Sequence, residues 1–262
     1  MKTLILAAII FTSSLASAQS FSEKISKELS FEKTGPENAL IVANNNGNVV
    51  VTGYDGASIV VEVTKTINGK TDGRVEEGKK LIQLGVMDRA DTIILYVDDG
   101  CSAFGTRGKR RVNNGWYNNG WGYDWNSNNQ CDHRFDYTMD FTIKVPRNAN
   151  VMLSTINDGD ISVEKVNGAI KANNINGSIR LANLMREADA STINGDVDID
   201  YTLNPKKGCS FYSLNGDNNR LFQKGLAANL SFESFNGEFY TNVDKIESLP
   251  TRVEKASKGQ GV

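Results

Sequence analysis

Apolar and polar residues alternate along much of the chain, and this pattern predicts β-strands. The clearest example is the segment 135–145, where every second side chain is apolar or aromatic and the side chains between them are polar. Alternation with a period of two places one face of a strand in the core and the other in water. One short helix is predicted within 72–85, a charged segment that contains Gly78. Shorter alternating or β-branched stretches lie at 25–32, 39–42, 49–52, 58–66 and 92–97.

A triad of an apolar residue, Asn and Gly recurs through the second half of the chain. The glycines at positions 159, 177 and 195 are evenly spaced, and those at 216 and 237 continue the series at a slightly longer, again constant, interval. A fixed period of about 20 residues is typical of a repeat architecture. The triads are Val166-Asn167-Gly168, Ile175-Asn176-Gly177, Ile193-Asn194-Gly195, Leu214-Asn215-Gly216 and Phe235-Asn236-Gly237, preceded by the variant Ile156-Asn157-Asp158-Gly159.

Each triad predicts a sharp turn, because Asn and Gly adopt left-handed backbone conformations at little cost. We expect the apolar residue before each Asn-Gly pair to point into the core. An apolar residue also recurs two positions after the glycines: Ile161, Ile170, Ile179, Val197 and Phe239. After Gly216 this position holds Asn218, which interrupts the repeat.

Two all-β architectures fit this spacing. In a β-solenoid, a single-stranded β-helix, each rung stacks on the one before it, so that Ile161 lies over Ile179 and Ile179 over Val197. In an antiparallel meander or β-sandwich, neighbouring strands run in opposite directions and residues at equal offsets need not stack. The constant spacing favours a β-solenoid of Asn-Gly-punctuated rungs with an N-terminal β region, and the meander or β-sandwich is the alternative.

The segment 1–18 has the pattern of a secretory signal peptide. Lys2 precedes a short apolar run, and the segment ends in Ala16-Ser17-Ala18. A charged start, a short apolar run and a small-residue cleavage site define such peptides. We expect cleavage after Ala18 and export to the periplasm, the outer surface or the medium. Gln19 rather than Cys follows the cleavage site, which argues against a lipid anchor, and no later stretch is long and apolar enough to span a bilayer.

An unusual insertion occupies residues 101–131. Cys101 and Cys131 bracket it, and we expect them to form a disulfide in an oxidising compartment. Closing a loop of about 30 residues stabilises a fold by roughly 3 to 4 kcal/mol. Cys209 is the remaining cysteine, and we expect it to be a buried free thiol.

The insertion is rich in Asn, Gly and aromatic residues, and its part 113–130 has no aliphatic residue. Aromatic faces stack on sugar rings or peptide side chains, and Asn amides supply adaptable hydrogen bonds. One hypothesis is therefore a ligand-facing loop, and the alternative is a disordered or self-packed loop that caps the sheet. The candidate ligand-binding residues are Trp116, Tyr117, Trp121, Tyr123 and Trp125.

The sequence marks out no catalytic or metal site. The single histidine, His133, has no nucleophile motif near it, and no acidic cluster matches a metal-binding spacing. A formal net charge of −2 argues against a nucleic-acid binder. We expect a non-enzymatic protein without cofactor or metal, whose partner is an envelope glycan or a surface protein.

These features divide the chain into five parts. They are a signal peptide (1–18), an N-terminal β region (19–100), the disulfide-closed aromatic insertion (101–131), a β-repeat region (132–248) and a polar C-terminal tail (249–262).

Several stretches resemble a bacterial family of putative adhesins with β-strand repeats. The resemblance implies a β-helical fold, a place in the cell envelope and no catalytic residues. Such proteins often have a further rung after the last repeat, whereas here a polar tail follows, so we expect a truncated repeat or an uncapped end rung. The stretches are STINDGDISVEKVNGAIKANNINGSIRLAN, STINGDVDID, SFNGEFYTNV, NNNGNVVVTGYDG and FTIKVPRNANVMLSTIN.

Overall fold

The computed structural model describes residues 19–100, 103–106, 121–124, 133–234, 236–242 and 247. The predicted signal peptide and C-terminal tail lie outside these residues. The described part contains one helix, α1 (Asp72–Leu81). Its strands are β1 (Gln19–Leu29), β2 (Ala39–Ala43), β3 (Val49–Tyr54), β4 (Ile59–Gly69), β5 (Gln83–Asp88), β6 (Thr92–Asp98), β7 (Ala103–Thr106), β8 (Trp121–Asp124), β9 (Phe135–Pro146), β10 (Asn150–Ser154), β11 (Ile161–Glu164), β12 (Ile170–Asn173), β13 (Ile179–Leu184), β14 (Ala188–Asn194), β15 (Val197–Tyr201), β16 (Ser210–Asn215) and β17 (Asn218–Leu221).

The strands form two large mixed sheets and one small hairpin. The first sheet has eight strands in the order β1-β4-β9-β3-β11-β13-β15-β17. The second has seven, in the order β16-β14-β12-β10-β2-β6-β5, and the hairpin pairs β7 with β8. The protein is therefore all-β, as the alternation predicted. Its layout of two mixed sheets is also compatible with the β-sandwich alternative.

One hydrophobic core is built from the alternating faces of both sheets. Leu40 and Val42 of the second sheet belong to the same buried cluster as Val49 and Val51 of the first. In β9 the predicted alternation is confirmed: Phe141 and its neighbours two residues away are buried, while the residues between them are more exposed. Period-two burial thus assigns the apolar half of each strand to this core.

The helix α1 packs against β4 and β9 through Gly78. A Cβ at Gly78 would lie 2.5 Å from Cγ2 of Ile67 and 2.9 Å from the ring of Phe135. Gly is a poor helix former, but here the missing side chain allows the helix to approach the sheet. Thr71 caps the start of the helix by accepting a hydrogen bond from the Arg74 N–H.

A buried lysine lies under the end of the same helix. Lys65 in β4 is 2% exposed, and its Nζ donates to the carbonyl oxygens of Lys79 at 3.2 Å and Ile82 at 3.1 Å. The ammonium also pairs with the Glu23 carboxylate at 2.5 Å. A cation at a helix C-terminus satisfies carbonyl groups that the helix leaves without partners.

From β10 onward, successive strands alternate between the two sheets. We define a rung as one strand of the second sheet, the turn after it and the next strand of the first sheet. The rungs are β2–β3, β10–β11, β12–β13, β14–β15 and β16–β17, and every strand in them pairs in parallel with its counterpart in the next rung. Ile161 lies opposite Ile179, and Ile179 opposite Val197, as the constant spacing predicted.

The half-interval triad at 166–168 lies at the opposite end of the rung. There Asn167 Nδ2 donates to Asn148 Oδ1 at 3.3 Å, and a Cβ at Gly168 would lie 2.0 Å from the Ala149 carbonyl oxygen. The chain turns at both ends of the rungs. Gly168 therefore falls midway in sequence between Gly159 and Gly177, the glycines of two successive turns at the other end.

The expectation that the apolar residue before each Asn-Gly points inward is wrong for three of the triads. Ile175 is 38%, Ile193 39% and Leu214 59% exposed, whereas Val166 at the opposite end is buried. At the outward-pointing turns, the residue one position earlier is the inward one, such as Thr192. The apolar residues two positions after glycine, Ile161, Ile170, Ile179 and Val197, are buried.

Residues 1–226 and 227–262 form two compact units. The described residues of the second unit include no strand, although this part of the chain carries the last triad. Phe239 is 48% exposed, and its ring lies 4.9 Å from that of Phe232. Phe235 lies outside the described residues.

Candidate binding surfaces

One edge of the first unit is formed by the turns within the rungs and carries two adjacent columns of side chains. We call these two columns the turn stripe. The apolar column is Ile156, Ile175, Ile193 and Leu214, and the amide column is Asn157, Asn176, Asn194 and Asn215. At about 4.8 Å per strand spacing, the three steps from the β10–β11 rung to the β16–β17 rung give a stripe about 14 Å long.

The amide column is a directional hydrogen-bond ladder. Each Nδ2 donates to the Oδ1 of the Asn in the preceding rung, beginning with Asn46 as the first acceptor. An Asn amide has two N–H donors and an oxygen with two lone pairs. Each inner Asn uses one N–H donor and one oxygen lone pair in the ladder. The distances are 3.3 Å (Asn157 to Asn46), 3.0 Å (Asn176 to Asn157), 2.8 Å (Asn194 to Asn176) and 2.8 Å (Asn215 to Asn194).

A third column, of buried or half-buried polar side chains, holds the turns in place from inside. Its members donate to the carbonyl oxygen of the glycine one rung earlier. Because this polar column takes the inward position, the apolar residue that follows it must face solvent. The bonds are Thr155 Oγ1 to Gly47 at 3.0 Å, Asn174 Nδ2 to Gly159 at 2.9 Å, Thr192 Oγ1 to Gly177 at 2.8 Å and Ser213 Oγ to Gly195 at 2.7 Å.

The glycines of the triads permit the close stacking of these turns. A Cβ at Gly195 would lie 2.3 Å from the carbonyl oxygen of Gly177, and one at Gly216 would lie 2.1 Å from that of Gly195. These distances are far below van der Waals contact, and the opposing atoms belong to the backbone. The glycines are thus required for backbone approach as well as for turning.

The residue after each glycine extends the ladder by one more column. Its side-chain oxygen accepts the backbone N–H of the equivalent residue in the next rung, which positions each turn over the last. Three of the five residues in this column, Asp160, Asp196 and Asp217, are acidic, so the turn stripe has a negatively charged border. The bonds are Asp160 N to Asn48 Oδ1 at 2.9 Å, Ser178 N to Asp160 Oδ1 at 2.7 Å, Asp196 N to Ser178 Oγ at 3.1 Å and Asp217 N to Asp196 Oδ1 at 2.8 Å.

A second candidate surface includes part of the aromatic insertion. β7 and β8 pair antiparallel, with Phe104 opposite Tyr123 and Thr106 opposite Trp121. The Phe104 ring stacks on Tyr96 of β6, with centroids 4.5 Å apart and planes 12° from parallel. The sequence pattern did not predict this contact, although Tyr96, an aromatic residue just before the insertion, was a signal for it. Trp116, Tyr117, Trp125, Cys101 and Cys131 lie outside the described residues, so the disulfide stays a prediction.

The face of the second sheet that carries Tyr96 points away from the core and is partly buried. Ile94 of β6 is fully buried and Ile41 of β2 is 5% exposed. Further along this face, Lys171 lies opposite Asp189 in the next strand. Burial lowers the pKa of the Lys171 ammonium, and the charge of Asp189 opposes that shift. Burial also raises the pKa of the Asp189 carboxyl, against the Ser210 N–H and the Lys171 charge.

His133 and Cys209 each lie next to aromatic side chains. The His133 ring lies 5.0 Å from the ring of Phe135 and 6.1 Å from that of Tyr137. Cys209 is a free thiol, as expected, but it is only half-buried, and its Sγ lies 3.2 Å from the Tyr201 hydroxyl. Burial raises the pKa of that hydroxyl, and the thiol adds to the shift. Among the described residues, no three His, Cys, Asp or Glu side chains are grouped to hold a metal ion.

No helix among the described residues is long and apolar enough to cross a membrane.

Comparison with known proteins gives only distant similarities. No family model and no curated protein matches the chain. A crystal structure of a putative cell adhesion protein from Clostridium sporogenes is 10% identical and covers 77% of this chain and 99% of its own, with a TM-score of 0.35. A putative lipid binding protein from Parabacteroides distasonis (11%, covering 77% and 97%, TM-score 0.26) and a putative adhesin from Parabacteroides merdae (10%, covering 78% and 97%, TM-score 0.23) also match. Similarities of this size assign neither a family nor a function.

Proposed function

We propose that the protein is an exported, non-enzymatic structural or adhesin-like protein of the cell envelope, and that the turn stripe is its contact surface. The observation that carries the proposal is the side-by-side repetition of exposed Ile or Leu and exposed Asn on successive rungs. Large contiguous apolar patches on the surface of a protein often mark a binding site. Here the apolar column is also fixed by the backbone ladder, so binding costs little conformational entropy.

The chemistry of the stripe suits an extended partner. A polymer or strand lying along it meets one apolar side chain and one amide at each rung, about every 4.8 Å. An envelope glycan or an extended segment of a surface protein has this form. The proposal takes the parallel rungs as a β-solenoid that keeps the stripe straight, the segment 1–18 as a removed signal peptide, and the location as periplasm, outer surface or medium.

Binding to isolated envelope fractions tests this proposal. The variant Ile175→Ser/Ile193→Ser removes the middle of the apolar column and is expected to weaken binding at least about tenfold, as loss of two well-placed anchors does. Met185 and Leu203, 41% and 48% exposed outside the stripe, provide the control variant Met185→Ser/Leu203→Ser. Equal binding by wild type and the stripe variant would reject the turn stripe as the contact surface.

A second candidate function is a carbohydrate-binding module that uses the aromatic insertion. The stacking of Phe104 on Tyr96 supports it, because this contact attaches a hairpin that includes Trp121 and Tyr123 to the second sheet. Titration with envelope oligosaccharides is then expected to change the tryptophan fluorescence of the wild type. The Trp116→Ala/Trp121→Ala/Trp125→Ala variant is expected to lose oligosaccharide binding in calorimetry, whereas the stripe variant keeps it.

A further inference from the structure

The last rung of the first unit, β16–β17, forms one edge of each large sheet. β16 ends the second sheet and β17 ends the first. In the rung before it, the N–H groups of Gly195 and Val197 donate to the Asn215 and Asp217 carbonyl oxygens at 3.0 and 2.8 Å. By the same register, the N–H groups of Gly216 and Asn218 point away from the preceding rung. Edge strands with outward N–H and C=O groups are templates for a further strand.

Each rung adds to the one before it through the same four contacts at its turn. They are an inward hydroxyl or amide to a glycine carbonyl, an Asn amide to an Asn amide, a glycine packed on a glycine, and a backbone N–H to a side-chain oxygen. For the last rung these contacts are Ser213 Oγ to Gly195 O at 2.7 Å, Asn215 Nδ2 to Asn194 Oδ1 at 2.8 Å, a Cβ position of Gly216 2.1 Å from Gly195 O, and Asp217 N to Asp196 Oδ1 at 2.8 Å.

The segment 230–241 carries every residue type that a next rung needs, one repeat interval further along the chain. At the turn it has a hydroxyl, an amide, a glycine and an acid in the required order. Its inward positions are apolar and larger than the buried Ala188, Ala190 and Val197 of β14 and β15. The turn residues are Ser234, Asn236, Gly237 and Glu238, and the inward residues are Leu230, Phe232 and Phe239.

The described residues of this segment form no strand. The side chains that would point inward in a rung face solvent here. Leu230 is 58%, Phe232 49% and Phe239 48% exposed. Ser234 Oγ accepts the Gly237 N–H at 2.5 Å, a bond local to the segment. One chain therefore has both a rung template and a sequence that fits it. Two different complementary surfaces on one chain define a head-to-tail contact between copies.

We propose that the last rung is a docking surface for residues 230–241 of a second copy of this chain, which add to it as a sixth rung. The incoming Ser234 hydroxyl donates to the Gly216 carbonyl, the Asn236 amide to Asn215 Oδ1 and the Glu238 N–H to Asp217 Oδ1. Phe232 and Phe239 become buried on the end of the core. This addition of strands to sheet edges is a known mode of recognition, and its head-to-tail form builds open chains of molecules. It is independent of what the turn stripe binds.

The test measures the mass of the full-length exported protein in solution against concentration. Two variants each remove one half of the contact: Phe232→Asp/Phe239→Asp blocks the segment, and Asn218→Pro removes an outward N–H of the edge rung. Wild type is expected to rise at least about twofold in weight-average mass over a hundredfold concentration range, because open head-to-tail contacts do not close. Each variant alone stays at the mass of one chain, and an equimolar mixture of the two forms a 1:1 dimer.

Matched controls separate this contact from general stickiness. Tyr240 is 82% exposed and points outward in the proposed rung, so Tyr240→Asp adds one of the two negative charges to the same segment without blocking association. Gly237→Ala is expected to abolish association because its Cβ would meet the partner's backbone, whereas Gly208→Ala meets nothing within 4 Å and is expected to associate normally. Wild type that remains monomeric throughout, a mixture that forms no dimer, or a Gly237→Ala variant that associates like wild type would each overturn the proposal.

Discussion

Replacing Gly195 by Ala tests the idea that backbone approach between turns holds the rungs together. The new Cβ would lie 2.3 Å from the Gly177 carbonyl oxygen, 2.5 Å from its carbonyl carbon and 2.8 Å from the Ser178 nitrogen. None of these atoms can rotate away as a side chain would, so the turn itself must move. That movement would lengthen the Thr192 Oγ1 bond to the Gly177 carbonyl, now 2.8 Å, and the Asn194 to Asn176 amide bond, also 2.8 Å.

The expected loss is about 3 kcal/mol of unfolding free energy, near the upper part of the range for overpacking a tightly packed site. For a domain of this size, 1 kcal/mol corresponds to roughly 2 to 4 °C in Tm, so the variant should unfold about 6 to 12 °C earlier. The assay is thermal unfolding followed by far-UV circular dichroism, with urea unfolding as a second measure. Agreement between the losses of unfolding free energy from the two methods would show that the change lies in stability and not in aggregation.

Gly208→Ala is the matched control for this substitution. A Cβ at Gly208 meets nothing within 4 Å, so the same chemical change should alter the unfolding free energy by no more than about 0.5 kcal/mol. Equal melting temperatures for the Gly195→Ala and Gly208→Ala variants would show that close backbone stacking is not what requires the triad glycines.

Three further predictions concern other parts of the molecule. Lys65→Met leaves two helix-end carbonyl groups and the partly exposed Glu23 carboxylate without their cation. The unfolding free energy should fall by about 2 to 3 kcal/mol in urea titrations. An unchanged urea midpoint would contradict this role of Lys65. Burial lowers the pKa of the Lys171 ammonium below its ordinary 10.5, so the cost of burying the charge is fully present below the lowered pKa and disappears as pH rises toward 10.5. Wild type should therefore gain stability relative to Lys171→Met as pH rises toward 10.5 in urea titrations, and a constant difference would argue against this. Without reductant, a thiol reagent should modify only Cys209 in the unfolded exported protein, and labelling of Cys101 or Cys131 would show that the predicted disulfide is absent.

The strand pattern and the rung period could be predicted from the sequence because both are local. Alternation in the segment 135–145 depends only on which residues are apolar, and β9 has that burial. The spacing of the glycines likewise predicted that Ile161, Ile179 and Val197 stack, since equal offsets in a parallel repeat place equivalent residues opposite each other. The helix within 72–85 was also predicted, but the reason for its Gly78 lies in β4 and β9, distant in sequence.

The candidate surfaces depended on contacts that the local pattern does not contain. Ile175 and Ile193 were predicted to point inward because they are apolar, yet they face solvent because a neighbouring polar side chain bonds to a glycine carbonyl one rung earlier. The anchoring of Phe104 on Tyr96 joins residues of different sheets and left no periodic signal. The triad at 235–237 shows the same limit, since its sequence matches a rung while the described residues around it form no strand.

Local sequence is enough to specify an all-β chain with a nearly constant repeat, because alternation and turn residues act over a few positions. Contacts between distant segments set the rest: the division of the strands between two mixed sheets, the side of each turn that faces solvent, and the rung that ends both sheets. A side chain's direction at a turn follows from the hydrogen-bond partner that it finds in the neighbouring rung. That partner lies 15 residues away along the chain for Asn174 and Thr192, and 108 residues away for Thr155.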